Sequence, residues 1–350
     1  MVGNLVLKGL SWSGQTIKYF ALDPKKSPTY FNLHRHLQAL GWLPCTFNWQ
    51  ASFSERNFEF NTAASQCLEY KHLLAQLLKK YNLPFSPVTY CIDDGNWPNI
   101  LAQIAEEHYR CEYGYQDEKA NLTWILKPSL LNNGQQIKIF TRLSQLERHF
   151  LSADRLGGEH VLQEYVAKPH LLRPPQGHKY SIRMFVVLTN YTGCYLYPFG
   201  YFNVALQPFQ TGEFQDLRSH LTNEHLLGSE SNVVQIPTER FDFFPKLYPQ
   251  IKGQVTEILK ALKREYRHAF DCQKNPALAI FGFDFLVDEE QRLWLLEANH
   301  GPCFPREDNH PLQTHLYDNF WQALIQGFVI SIANRQQETG KELFDFISMN

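Results

Sequence analysis

The stretch Phe281–Asn299, FGFDFLVDEEQRLWLLEAN, constrains the fold of this chain more than any other. Two apolar runs, IFGFDFLV and LWLLEA, flank the polar tetrapeptide Glu289-Glu290-Gln291-Arg292. Aromatic and branched residues favour strands, and a four-residue connection is a common hairpin loop. With the loop centred between Glu290 and Gln291, Asp288 faces Leu293, Asp284 faces Glu297 and Gly282 faces Asn299. Side chains alternate along a strand, so Asp284, Glu297 and Asn299 share one face. Directly opposed Cβ atoms lie about 4.5–5.5 Å apart, where like charges repel. A bound cation removes that conflict. Two carboxylates and an amide oxygen suit a hard ion such as Mg²⁺, which shares its shell with water and phosphates. Gly282 leaves space for a phosphate. The competing reading is an ordinary hairpin with a solvated acidic face.

At 350 residues the chain is long for one compact domain and suits two or three lobes sharing a cleft. It is 44% hydrophobic, enough for substantial cores, and its net charge of −2 comes without a long basic run. Neither feature points to a nucleic-acid partner. Seven scattered cysteines without CxxC spacing read as reduced thiols in a cytosol. The N-terminus does not read as a signal peptide, and no apolar run approaches the ~20 residues of a membrane span. The expectation is a cytoplasmic protein with no membrane association.

Several segments gain meaning in chain order. Phe31–Leu40 reads as a short amphipathic helix stopped by Gly41, and Ser65–Tyr81 as a longer one carrying Lys71. Val88–Ile92 is a short strand. TWILKPS, Thr123–Ser129, is a strand ending at Lys127; the loop Asn132-Asn133-Gly134 leads to a second strand, Gln136–Phe140. A lysine at a strand end beside such a loop can reach phosphates, and the loop's N–H groups can cover them. HVLQEYVAKP is a strand running into a connector able to offer backbone groups to an adenine edge. In KYSIRMFVVL, Lys179, Ser181 and Arg183 share a face, which suits an anion there or plain solvation. Tyr195–Asn203 is a further strand, followed by HLTN at His220–Asn223. Helices are expected over Lys252–Phe270 and Leu312–Ile332.

Taken in order, WILKP with its Asn-Gly, VLQEYVAKPHLL, HKYSIRMFVVL, HLTN, FGFDFLVD and WLLEAN resemble the tubulin–tyrosine ligase-like family of the ATP-grasp superfamily. The resemblance implies a mixed α/β fold, of α+β type. An ATP-grasp nucleotide cleft lies between two lobes, behind a small N-terminal α/β domain. The corresponding divisions are 1–67, 68–165 and 166–350. It implies that ATP is held by Lys127, Lys179, Thr222, Asn223 and the connector Gln163, Glu164, Tyr165 and Val166, with Lys71 as a further basic contact. Lys127, Lys179 and Arg183 would serve the transferred phosphate, and Asp284, Glu297 and Asn299 would hold Mg²⁺.

The implied activity is ATP-dependent carboxylate–amine ligation through an acyl phosphate, with an amino acid as donor and a protein or peptide as acceptor. Phosphotransfer to a hydroxyl, or nucleotide binding without catalysis, are the alternatives. The sequence departs from the family pattern on the substrate side. Ser181 replaces an aspartate in Lys-x-Asp-x-Arg. Pro198 and Asn203 replace both arginines of Tyr-Arg-x-Gly-x-x-Arg, and Gln136 replaces a second loop glycine. An ordinary tubulin tail is therefore not the expected acceptor. The neighbouring Phe199, Tyr201 and Phe202 suggest a more apolar surface.

Overall fold

The computed structural model of the chain describes residues 17–114, 123–173, 177–224, 226, 231–271, 275–307, 309–335 and 340–349, with side chains omitted for 108–114. At the N-terminal end, β1 (Tyr19–Ala21) pairs in parallel with β2 (Leu43–Pro44) and β3 (Phe53–Ser54). Between β1 and β2 runs α1 (Pro28–Ala39), which begins earlier than Phe31. The Ser27 side chain accepts from the Tyr30 amide, and Pro28 needs no amide partner in a first turn.

The segment expected to form one helix over Ser65–Tyr81 forms two, α2 (Thr62–Glu69) and α3 (Lys71–Lys80), broken at an extended Tyr70 with ψ 118°. Ser129 makes the break tolerable: its hydroxyl accepts from the His72 amide, and its carbonyl receives the Lys71 amide. The expected division at residue 67 falls inside α2. Leu68, Leu74, Leu77 and Leu78 all bury into the core of the largest sheet. By packing, this helix pair belongs with that sheet as much as with the middle of the chain.

Next come β4 (Thr89–Ile92), α4 (Trp97–Gly114), β5 (Trp124–Pro128), β6 (Lys138–Phe140), α5 (Leu143–Leu151) and β7 (His160–Glu164). The strands form an antiparallel sheet in the order β4-β7-β5-β6. Leu101, Ile104, Leu146 and Phe150 of the two helices cover Trp124, Leu126 and Leu162. Both helices carry an apolar stripe at helical spacing, Trp97, Ile100, Leu101 and Ile104 in one and Leu143, Leu146 and Phe150 in the other, although neither is among the elements expected from sequence.

The largest sheet contains β8 (Tyr180–Thr189), β9 (Cys194–Ala205), β10 (Val233–Pro237), β11 (Leu278–Val287), β12 (Leu293–His300) and β13 (Asp345–Ile347), with α6 (Phe244–Glu265) inserted after β10. The order is β10-β9-β8-β11-β12, with β13 pairing β9. α6 starts before the expected Lys252 because prolines are tolerated near a helix start; Pro249 lies within it. Period-2 alternation divides the sheet's two faces. On one face, Tyr180, Ile182 and Met184 join Phe281, Phe283 and Phe285 against α6 and α2–α3.

On the other face, Phe185, Val187 and Ile280 pack on Leu316, Phe320, Leu324 and Phe328 of a continuous helical run. That run alternates wide π-type turns at Gln313–Tyr317 and Ile325–Val329 with α7 (Asp318–Leu324) and α8 (Ile330–Asn334). A four-residue spacing drifts around a 3.6-residue helix, and the wide turns return the stripe to one side. The remaining half of this face is the floor of a cleft. Among the described residues no helix is long and apolar enough to cross a membrane. Cys45, Cys67, Cys91, Cys194 and Cys303 are free thiols; Cys272 and the Cys111 side chain lie outside the described residues.

Where β9 carries extra residues, 197–199, opposite Phe185, it approaches β8 closely through Gly200. A Cβ there would sit 2.1 Å from the Arg183 carbonyl oxygen and 2.6 Å from the Met184 sulfur. Gly200→Ala is therefore expected to destabilise the fold by about 1–3 kcal/mol, read as a lower urea midpoint. An unchanged midpoint would mean that β9 can move off β8 freely.

Candidate active site

The hairpin forms with the site register expected from sequence but not with the expected turn. Val287, not Asp288, pairs with Leu293, and one extra residue, Leu296, then enters β12 so that Asp284 still faces Glu297 and Gly282 faces Asn299. A bulge re-aims side chains locally. Here Leu296 and Glu297 both line the cleft, while Leu295 and Ala298 enter the core. Asp288 is drawn into the turn, where its carboxylate accepts from the Glu290 and Arg292 amides and the Trp294 indole.

Registration across the sheet then sets a transverse row. Glu297 on β12 faces Asp284 on β11, which faces Arg183 on β8, which faces Tyr201 on β9. The Arg183 guanidinium grips Asp284 in two places, Nε to Oδ1 at 2.5 Å and Nη2 to Oδ2 at 2.5 Å. The Asn299 amide nitrogen donates to Asp284 Oδ2 at 3.2 Å and to Glu297 Oε1 at 3.0 Å. Gly282 does not leave room for a phosphate as expected. A Cβ on it would lie 2.7 Å from Arg183 Cδ and 2.9 Å from Nη1, so its role is to let the guanidinium lie flat.

Three lysines converge from different elements. Lys71, at the start of α3, donates to the Leu131 carbonyl at 2.9 Å and stands 3.4 Å from Glu297 Oε2. The break at Tyr70 is what aims it here. Lys127 donates to Gln163 Oε1 at 2.8 Å, and Gln163 in turn donates to Thr89. Lys179 donates to the Tyr165 hydroxyl at 3.1 Å and lies 4.5 Å from a Tyr165 ring centroid.

Burial lowers the Lys179 ammonium to about 7, with Lys127 pushing the same way. Burial also lowers Lys127 to about 8, with Glu297 pulling up and Lys71 pushing down. Asp284 is pushed up to about 6 by burial, against the pull of Arg183. Burial alone would raise Glu297 as well, but Lys71, the Asn299 hydrogen bond and Lys127 hold it at about 2.

These groups line one cleft with an empty volume of about 1360 Å³, open solvent at its mouth included. Gln163, Glu164, Tyr165 and Val166 line one end, beside an apolar cluster of Ile125, Leu221 and Ile137. Thr222 and Asn223 also line the cleft; the Thr222 hydroxyl donates to Ser181 at 2.8 Å. The loop after Lys127 reaches across to them, with Gly134 at φ +69° against Leu226 and Asn223. Gln136, where a glycine was expected from the resemblance, adopts φ +57°.

The residues singled out from sequence for the nucleotide and the metal thus all line this one cleft. Among the lining residues missed are Gln235 and Glu224. Asn203 and Gln235 fall in line with Ser181 across β8, β9 and β10, and Gln235 bonds to both Asn203 and Tyr317. The sequence carries no signal for this, because β10 has no clear pattern. Of the aromatics expected at an acceptor surface, Phe202 is core, stacked on Phe241 at 4.0 Å, whereas Tyr201 lines the cleft. Among the described residues no cluster of three His, Cys, Asp or Glu side chains is arranged to hold a metal. The third polar group beside Asp284 and Glu297 is the Asn299 amide, whose nitrogen faces both carboxylates.

A family model described as the tubulin-tyrosine ligase family matches residues 60–338. The chain is similar, at 25% identity over 276 residues, to the probable tubulin–tyrosine ligase PBY1 of Saccharomyces cerevisiae, covering 65% of this chain and 36% of that protein. It is 26% identical over 207 residues to tubulin glycylase 3C of Tetrahymena thermophila, covering 51% of this chain and 18% of the glycylase. It is 25% identical over 271 residues to the probable tubulin polyglutamylase TTLL2 of Mus musculus, covering 69% and 45%. The chain therefore spans less than half the length of each of these relatives.

The two depressed lysines make a pH prediction. An anionic ligand raises their pKa values, so affinity for a non-hydrolysable ATP analogue should be greatest below pH 7. It should weaken as pH rises past the free-site values of about 7 and 8. Near pH 8 binding should take up protons. Calorimetry in buffers of different ionisation heat measures that uptake; a heat independent of buffer between pH 7 and 9 would contradict it.

Proposed function

Because the chain belongs to the tubulin–tyrosine ligase family, we propose that it is an ATP-dependent carboxylate–amine ligase acting at this cleft. One observation carries the reading: four cationic side chains from three separate elements meet two opposed carboxylates beside an apolar slot. An adenine suits the slot formed by Ile125, Ile137, Tyr165 and Leu221. Lys71, Lys127 and Lys179 suit the polyphosphate.

Amide formation from a carboxylate needs a leaving group, and phosphorylation supplies one. In this reading the acceptor carboxylate attacks the γ-phosphorus, ADP leaves, and an amine displaces phosphate from the acyl phosphate. The work of the chain is positioning and charge neutralisation. Lys127 and Lys179 regain full charge against the phosphate oxygens. Arg183, planar and forked, matches a phosphoryl group in flight.

Asp284 and Glu297, opposed in register with the Asn299 amide between them, form a donor set that fits Mg²⁺. When bound, Mg²⁺ would draw charge from the phosphate oxygens. Glu297→Gln keeps the shape of the side chain and loses its charge. It should reduce Mg²⁺-dependent ADP release by about 10–100-fold, in a protein that still folds but melts somewhat lower, because Lys71 and Lys127 lose the carboxylate that faces them. Full activity in the variant would place the metal elsewhere.

The acceptor end favours something other than an acidic tubulin tail. Pro198 lies in the β9 bulge opposite Phe185, and Asn203 faces the cleft bonded to Gln235. Each missing charge-assisted contact is worth about 1.5–3 kcal/mol, so a polyanionic tail loses much of its hold. Assayed beside a known ligase, this protein should add neither tyrosine, glutamate nor glycine to tubulin at a comparable rate. It should still form an amide, seen by mass spectrometry, on another peptide or protein incubated with ATP, Mg²⁺ and pooled amino acids. Efficient tubulin modification would show that basic residues elsewhere grip the tail.

A further inference from the structure

The two groups that the reaction needs most are engaged with each other. Both oxygens of Asp284 accept from Arg183, and Oδ2 also accepts from Asn299. The pair is shielded, with side-chain exposures of 14% for Arg183 and 8% for Asp284. The slot over Gly282 holds the guanidinium flat in that position. Both Asp284 oxygens and two of the three Arg183 nitrogens are engaged in this pair, so neither group can meet a cation or a phosphate in two places without giving up its partner.

We propose that the Arg183–Asp284 pair is a latch that a divalent cation and a nucleotide release only together. The inference rests on the reading that the cleft binds a magnesium nucleotide. A cation taken by Asp284 alone would strand a buried guanidinium, and a phosphate taken by Arg183 alone would strand a buried carboxylate. Removing one partner of a buried pair is strongly unfavourable. When both ligands arrive, each charge exchanges one partner for another and none is stranded. Metal and nucleotide therefore bind with positive coupling that originates in this chain, beyond the affinity of Mg²⁺ for ATP itself.

The latch predicts effects opposite to those of simple ligand loss. Asp284→Asn frees Arg183, so the affinity for a non-hydrolysable ATP analogue in EDTA should rise above wild type. Coupling energies of this kind suggest roughly 5–150-fold, and the gain from Mg²⁺ should largely vanish. Glu297→Gln removes the same charge from the same site but leaves the latch closed, so its gain in EDTA should be much smaller. Arg183→Gln frees Asp284, and Mn²⁺ without nucleotide, followed by electron paramagnetic resonance, should bind more tightly than to wild type.

Equal gains from Asp284→Asn and Glu297→Gln would reduce the effect to general charge repulsion and overturn the latch. So would a failure of Arg183→Gln to improve Mn²⁺ binding, a measurement that stands even if Asp284→Asn does not fold. Wild-type protein that binds no nucleotide even with Mg²⁺ would overturn the underlying nucleotide reading as well. Wild-type binding with Mg²⁺, but no gain in either latch variant, would overturn the latch alone.

Discussion

Desolvated positive charge is the constraint on which the cleft is built. Lys71, Lys127 and Lys179 are each less than one-tenth exposed, and Arg183 lies beside them at the start of the same sheet face. Taking an ion out of water costs several kcal/mol unless partners replace the water. Arg183 has a carboxylate partner, and Lys71 has Glu297 and a carbonyl. Among the described residues Lys127 and Lys179 have as direct partners an amide oxygen, a phenol and the ring faces of Tyr165 and Phe209. That shortfall is why burial depresses both ammonium groups. A fold selected for stability alone would not leave two lysines so poorly matched, and strongly perturbed groups gathered in a cleft are a mark of function.

The charges can be held this way because they come from parts of the chain that cannot collapse on one another. Lys127 ends a strand of the four-stranded sheet, Lys179 and Arg183 begin a strand of the larger one, and Lys71 starts a helix packed between the two. The extended backbone at Tyr70 is therefore as important to the site as any side chain in it. An unbroken helix over Ser65–Tyr81 would carry Lys71 on a different face. Ser129, one residue after the strand that positions Lys127, holds the start of α3 through both hydroxyl and carbonyl. The placements of Lys71 and Lys127 are thus mechanically linked.

Much of this was legible in the sequence, and where it was not there is a physical reason. The alternation of FGFDFLV separated Asp284 from its phenylalanine neighbours, and the pairing with Glu297 came out as expected despite a wrong turn. Two irregularities cancel: Asp288 joins the turn, and Leu296 adds a residue to the opposite strand. A strand pattern alone reports neither. The break at Tyr70 was hidden because its cause, Ser129, is distant in sequence. α4 and α5 carry apolar residues at helical spacing and were legible in the sequence, though not among the expected elements; β10 was not, because it is a short edge strand. Gly282 was read as space for a ligand, whereas the space is filled by Arg183 from the neighbouring strand. Contacts of that kind depend on strand order, which no local pattern encodes.

Charge is unevenly placed across the cleft. The apolar slot and the lysines occupy one end, and the Glu297–Asp284–Arg183 row crosses the middle. The row Ser181–Asn203–Gln235, which starts between Lys179 and Arg183 on β8 and runs toward β10, is uncharged: Gln235 bonds to Asn203 and Tyr317, and Ser181 to Thr222. Glu224 also lines the cleft, and its charge helps hold the Tyr201 phenol above its usual range, though burial is the larger cause. Once a nucleotide's phosphates engage Lys71, Lys127, Lys179 and Arg183, no lysine or arginine among the described lining residues is left on the β10 side to attract further negative charge. A ligand there would be recognised through amide and hydroxyl hydrogen bonds, which are directional but individually weak. Such a site selects by shape and by polar match, and a partner bearing one carboxylate among neutral groups fits it better than one bearing many.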